Sequence, residues 1–199
     1  MLKATLIGIG GPSCAGKGEI AAYLSARLAA PILDFDGYYR EQSNLTYEQR
    51  CLVNYDRPEA IDTDLLFAQV GALAAGEDIY KPVYSFERHT RDTQTAHFQP
   101  ARWVIVEGLF TLYWPELRAL YSTAIYIEAP DEVCLERRID RDTRTRGRTE
   151  EEVRRRFREH VQPAAREFIR PTRQYAGLVL DGTRPIRESG ERVLSFLGA

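Results

Sequence analysis

Short apolar runs alternate along this chain with longer stretches whose apolar positions recur at helical spacing. The runs at 4–9, 31–35, 103–106, 123–128 and 177–180 are mostly β-branched or aromatic and predict buried strands. Positions such as Ile20, Ala21, Leu24 and Leu28 predict helices over 18–29, 63–75, 130–143, 149–169 and 186–197. Thr149 with Glu152 reads as a capping box, and Pro163 predicts a kink or a division of the helix it sits in. Asp62 or Thr63 reads as the cap of the helix starting near Asp64. Strands separated by helices predict an α/β fold, a mainly parallel sheet covered on both faces. Ligands of such sheets bind beyond the carboxyl ends of the strands.

At the first strand-to-helix junction the chain reads Gly11-Pro12-Ser13-Cys14-Ala15-Gly16-Lys17-Gly18-Glu19. Gly, four residues, Gly and Lys is a phosphate-binding loop. Its amides and the following helix N-terminus favour an anion, and Lys17 adds a mobile charge on the outer phosphates. The flanking strand and helix set it apart from an ordinary glycine turn. The usual Ser or Thr after the lysine, which touches magnesium, is replaced by Gly18. The loop predicts a nucleoside triphosphate bound through Gly11, Ser13, Cys14, Ala15, Gly16, Lys17, Gly18 and Glu19, with magnesium handled unusually. Cys14 reads first as a small loop residue, and second as a thiol activated by the helix N-terminus.

Composition narrows the setting. The 199 residues suit one domain, or one domain with a lid. A net charge of −2 gives no global field for nucleic acid or an anionic membrane. Three widely spaced cysteines suit a reducing cytoplasm, and no apolar run approaches a membrane span or a signal peptide.

Two carboxylates fall at strand ends beside the loop. Asp36 follows the run 31–35 and Glu107 follows 103–106. Such groups hold magnesium or accept a proton from an attacking hydroxyl. Asp34 competes with Asp36, because alternation would put both on one face. Between Arg137 and Arg158 stand ten arginines. They read as an RNA-binding helix, as a solvated face paired with Glu150, Glu151, Glu152 and Glu159, or as a lid that clamps phosphates. The lid reading fits Arg138, Arg141, Arg146 and Arg148, with Gly147 as a hinge. The solvated face fits Arg154, Arg155 and Arg158.

Further segments carry a family resemblance over nearly the whole chain: Asp36-Gly37-Tyr38-Tyr39-Arg40, Asn54-Tyr55-Asp56-Arg57-Pro58, Lys81-Pro82-Val83-Tyr84-Ser85-Phe86 with His89-Thr90-Arg91, Val106-Glu107-Gly108-Leu109, and Arg137 to Arg148. In order and spacing the sequence resembles the uridine/cytidine kinases, among the phosphoribulokinase-like phosphate-loop kinases. The resemblance implies one kinase domain over 1–199 with the three-layer P-loop fold. A substrate-covering β-hairpin at about 79–99 and an arginine-rich helical lid at about 137–160 belong to it. It implies phosphorylation of the 5′-hydroxyl of uridine or cytidine, with ATP or GTP as donor and Mg2+ as cofactor. By the same analogy Asp36 is the general base, acting with Lys17, and lies with Glu107 at the metal. Asp56 and Arg138 hold the ribose, and Tyr39, Tyr84, Phe86 and His89 surround the base. Arg141, Arg146 and Arg148 close on the phosphates. Arg156 stands where the family commonly has a substrate-side Gln, and Ser85 where it has an Asp. Family members assemble as dimers or tetramers. The alternatives are a related kinase with another hydroxyl acceptor, or a non-catalytic nucleotide binder with an altered loop.

Overall fold

The computed structural model describes residues 3–199. Five strands, β1 (Thr5–Gly10), β2 (Ile32–Asp34), β5 (Trp103–Glu107), β6 (Tyr121–Glu128) and β7 (Leu178–Asp181), form one sheet in the order β2-β5-β1-β6-β7, with every pairing parallel. Alternation sorts their side chains by face. Ile7, Ile9, Ile105, Ile125 and Ile127 pack with Ile20, Ala21 and Leu24 of α1 (Lys17–Leu28) and with Val193 and Leu194 of α8 (Ile186–Leu197). Leu6, Leu33, Val104, Val106 and Tyr126 face the other way. They meet Leu66, Val70 and Leu73 of α3 (Thr63–Ala75), Leu117 of the short α4 (Pro115–Arg118) and Phe168. Two apolar faces on a parallel sheet require covering on both sides, which gives the three layers.

The remaining pair, β3 (Ile79–Ser85) and β4 (Thr90–Phe98), is a separate antiparallel hairpin. Lys81 bonds Asp34 at 2.7 Å, and Arg91 bonds Asp62 at 3.1 Å and the Tyr38 carbonyl at 3.2 Å. These ties hang the hairpin over the carboxyl end of β2.

The helices at 63–75 and 186–197 have the bounds their spacing predicts. Asp62 caps the first, accepting from the Leu65 amide. The predicted helix 149–169 departs from expectation. It runs as α6 (Glu150–Arg156), a π turn at Phe157–Val161, α7 (Gln162–Ala164) and a second π turn at Ala165–Ile169. Pro163 sits at the start of the short α7, so the helix is divided around it as the sequence predicts, but by π turns rather than by a break. The backbone stays helical, and widened turns on either side accommodate the missing donor and the ring. The capping box there is half made: Thr149 accepts from the Glu152 amide, but the Glu152 carboxylate turns to Arg156. A full box forms at Thr46 and Gln49, starting the unforeseen α2 (Tyr47–Leu52). α5 (Asp131–Thr145) carries Arg137, Arg138, Arg141 and Arg144.

Candidate active site

The phosphate loop is shaped by backbone first. Gly11 has φ +141°, and a Cβ there would strike the Ile127 carbonyl. Cys14 sits at φ 63°, a conformation a side chain seldom takes without support from its surroundings. That support comes from Arg137, which donates to the Cys14 carbonyl at 3.3 Å and to the Gly182 carbonyl at 2.9 Å. Gly182 lies just past β7, and a Cβ on it would strike the Ala15 carbonyl. The turn after β7 is therefore the back wall of the loop. Gly16 starts α1 with φ 109° and no side-chain cap, so the first-turn amides have no side-chain acceptor of their own.

Lys17 is buried and donates to the Pro12 carbonyl at 2.9 Å. Burial lowers its pKa, against the opposing pull of Glu107 and Asp36. Glu107 ends β5, and Asp36 lies in the 3-10 turn Phe35–Tyr38. Burial raises the pKa of both carboxyls. Asp34 raises Asp36 further, whereas Arg146, a hydrogen bond from Tyr39 and Lys17 oppose the shift. The turn also resolves Asp34 against Asp36. Strand alternation ends at Asp34, whose oxygens are taken by Lys81 and the Gly37 amide, while Asp36 lines the main cavity.

That cavity has a volume of about 800 Å³. Of the residues assigned in the sequence to nucleotide, metal or acceptor, only Gly11 and Ala15 are absent from its wall, being buried behind the loop. Ser13, Cys14, Gly16, Lys17, Gly18 and Glu19 form one end, with Asp36 and Glu107 beside them. Tyr39, Tyr84, Phe86 and His89 form the other. Tyr39 and Tyr84 meet edge to face at 5.1 Å, as do Tyr84 and Phe86 at 5.3 Å. Tyr55, overlooked in the sequence although Asn54-Tyr55-Asp56 was singled out, packs on Tyr39 at 5.1 Å and stacks on His89 at 5.8 Å. His89 has its pKa lowered, first by burial and then by Arg148, Arg156, Arg146 and Arg50, so it is neutral near pH 7. Tyr80 and Phe98 of the same hairpin stay out: one is exposed, the other in the core.

The arginines fall into two sets. Arg154 and Arg155 pair with Glu150 and Glu159 on an exposed face. Arg141, Arg146 and Arg148 line the cavity, and Arg146 lies 4.1 Å over the Phe86 ring. Arg138 is buried, donates to Ser13 Oγ at 2.8 Å and approaches Asp56 at 3.8 Å. Arg156 reaches the cavity from α6, fixed by Glu152 and by the Cys51 carbonyl at 2.8 Å. Asp142, a residue the sequence does not single out, meets Arg138, Arg141, Arg146 and Arg148 at once.

Among the described residues no three His, Cys, Asp or Glu side chains are grouped to hold a metal alone. The donor set still fits magnesium, which needs one or two carboxylates, with phosphate oxygens and water completing the shell. Gly18 is exposed, and a Cβ there meets nothing within 4 Å. No helix among the described residues is long and apolar enough to cross a membrane.

Known proteins resemble this chain in sequence and in fold. The uridine kinase of Vibrio cholerae serotype O1 is 38% identical over 185 residues, covering 89% of this chain and 87% of that one. The uridine kinase of Cronobacter sakazakii matches to the same extent. The solved structure of phosphoribulokinase from Rhodobacter spheroides superposes with a TM-score of 0.63 at 17% identity, over 92% of this chain and 74% of that one, a likeness of fold alone. The profile of the phosphoribulokinase/uridine kinase family matches residues 6–185, and the chain belongs to that family of kinases.

Proposed function

We propose that this kinase transfers the γ-phosphoryl group of ATP or GTP to the 5′-hydroxyl of uridine or cytidine. One observation carries the reading: a single cavity joins the Lys17 loop and Asp36 to the aromatic wall of Tyr39, Tyr55, Tyr84, Phe86 and neutral His89. Phosphoryl transfer asks chiefly for positioning and charge neutralisation. Lys17, the α1 amides and the lid arginines supply the charge at the triphosphate end. Aromatic faces suit a flat base, and a neutral imidazole offers it one donor and one acceptor. Asp56 and Arg138 offer an acceptor and donors to ribose hydroxyls. Asp36 accepts the hydroxyl proton as the new O–P bond forms and the bond to the leaving diphosphate breaks. Its raised pKa makes it a better base than an exposed aspartate. Asp36 and Glu107 are the residues that would hold magnesium, which neutralises phosphate charge when bound.

A second reading is favoured by Arg146, Arg148, Arg156 and Arg50 around His89, a positive wall suited to an anionic acceptor such as a sugar phosphate. Turnover of ATP and GTP with magnesium, measured across nucleosides and sugar phosphates, decides between them. Uridine and cytidine are expected to turn over best. Turnover with sugar phosphates alone would establish the second reading. Tight nucleotide binding with no acceptor turned over would establish a binding protein.

A further inference from the structure

Asp142 is the most heavily engaged carboxylate of the lid, and its side chain is fully buried. Four guanidiniums converge on it. Arg141 Nε lies 2.8 Å from Oδ1 and Arg148 Nη1 3.0 Å from Oδ2, with Arg146 and Arg138 at 3.5 and 3.6 Å. The main chain repeats the pattern, since the Asp142 carbonyl accepts from the amides of both Arg146 and Arg148. Between those two, Gly147 takes φ +63°, which lets the chain turn back on the end of α5. One residue therefore organises the whole lid corner.

The charges do not balance. Four arginines face Asp142, and the one further carboxylate paired with them is Asp56, 3.8 Å from Arg138, which leaves a surplus of two positive charges among these ion pairs. Asp140 is taken by Arg144, outside the cluster. Three of the four arginine side chains are less than one-fifth exposed, so water screens them weakly. Arg138 Nε is buried without a hydrogen bond, and Arg141 bonds the protein through Nε alone. A carboxylate gathers guanidiniums as a phosphate does, but it carries fewer oxygens and less charge. All four arginines line the cavity that contains Lys17.

We propose that Asp142 is a built-in stand-in for phosphate: it gathers the lid guanidiniums before the triphosphate arrives, then shares them with it. Asp142 acts through the arginines, so it is a positioning residue. The proposal rests on the triphosphate-kinase reading of this cavity. Its consequence is that the lid is preorganised, and that Asp142 competes with the anion it prepares for.

Inorganic tripolyphosphate, which carries neither base nor acceptor, tests this separately from the kinase reading. Thermal melting of the whole chain is followed with and without it, for wild type and Asp142→Asn. The variant is expected to melt lower without anion, to gain more from tripolyphosphate than wild type does, and to bind it about threefold or more tighter by calorimetry, because the competing carboxylate is gone. Equal or smaller gains in the variant would reduce Asp142 to a structural neutraliser and overturn the proposal. If Asp142→Asn is not folded by itself, refolding with tripolyphosphate decides: recovery supports the proposal, and failure with the anion present overturns it. Asp142→Glu keeps the charge but moves it by one methylene. It is expected to bind tripolyphosphate as wild type does, yet with kcat lowered about tenfold or more through misplaced arginines. Wild-type kcat in that variant would count against positioning.

Discussion

The two ends of the cavity are built differently. The end proposed for phosphate is carried by the sheet: Lys17 opens α1 just after the loop that leaves β1, and Glu107 ends β5, and the inner residues of both strands are wholly buried. Its anion-binding groups include backbone amides, and the loop that presents them is fixed by close chain-to-chain contact. The acceptor end is carried by the β3–β4 hairpin, by α2, which buries none of its residues, and by the loop after it. Its binding groups are side chains, and they hold one another: Tyr55 on His89, Tyr39 on Tyr84, Arg50 on the Arg88 carbonyl. The phosphate end is bound to the core and suits a group common to many substrates. The acceptor end can change its side chains with little cost to the sheet, which suits selection among acceptors.

Substitutions should separate these two roles. Asp36→Asn is expected to lower kcat by about 10²–10⁴. The same change should raise the melting temperature by a few degrees, roughly 1 kcal/mol. The sign follows from the raised pKa: a buried carboxyl that resists ionisation weakens the fold at neutral pH, and neutralising it removes that penalty. A variant that loses both activity and stability would show that Asp36 is held in place for packing. Next in size, Tyr55→Ala or Tyr84→Ala should raise KM for the nucleoside about tenfold or more and leave KM for the triphosphate unchanged, reflecting lost base stacking. A parallel rise in both constants would erase the division between the ends.

The pH dependence should be smaller but diagnostic. Asp36 must be ionised to accept a proton, so kcat/KM falls as the pH drops through its raised pKa in the free enzyme. The acid limb of the rate profile should therefore lie above the ordinary aspartate range. His89, held below its usual value, should add no second inflection near neutrality. Arg156→Gln removes a positive charge from beside His89, and should raise the imidazole pKa in an NMR titration while changing the uridine-to-cytidine ratio. The smallest effect is expected for Gly18→Thr. The site has room for the side chain, and the helix should gain roughly 0.3 kcal/mol with only a few-fold change in the magnesium requirement. A large gain in magnesium affinity would show that Asp36 and Glu107 are poor substitutes for a loop hydroxyl.

The phosphate end was legible in the sequence because its signals are local: a glycine loop between an apolar run and a helical period, and acidic residues closing two other runs. Much of the acceptor end was legible only through resemblance. α2 buries none of its residues and so leaves no apolar period to read; its start is a capping box on the surface. Tyr55 looks like any loop tyrosine until the hairpin brings His89 against it. Asp142 was hidden among arginines, because spacing shows which charges are near each other along a helix, not that four would converge after a turn at Gly147. Pro163 announced a division of its helix but not the form it takes. Proline rules describe a regular helix, and the π turns around Pro163 relax the geometry those rules assume.

The contact between Gly182 and the loop at Ala15 has a consequence for the order of synthesis. Residues 11–17 leave the ribosome well before their partners: β1 cannot pair until β5 and β6 follow about a hundred residues later, and the back wall at Gly182 follows later still. Until then the loop is a glycine-rich strand end with no cradle. A bound nucleotide can thus favour the fold only after Gly182 has emerged, so the nascent chain must rely before that on its apolar strands and whatever shields them.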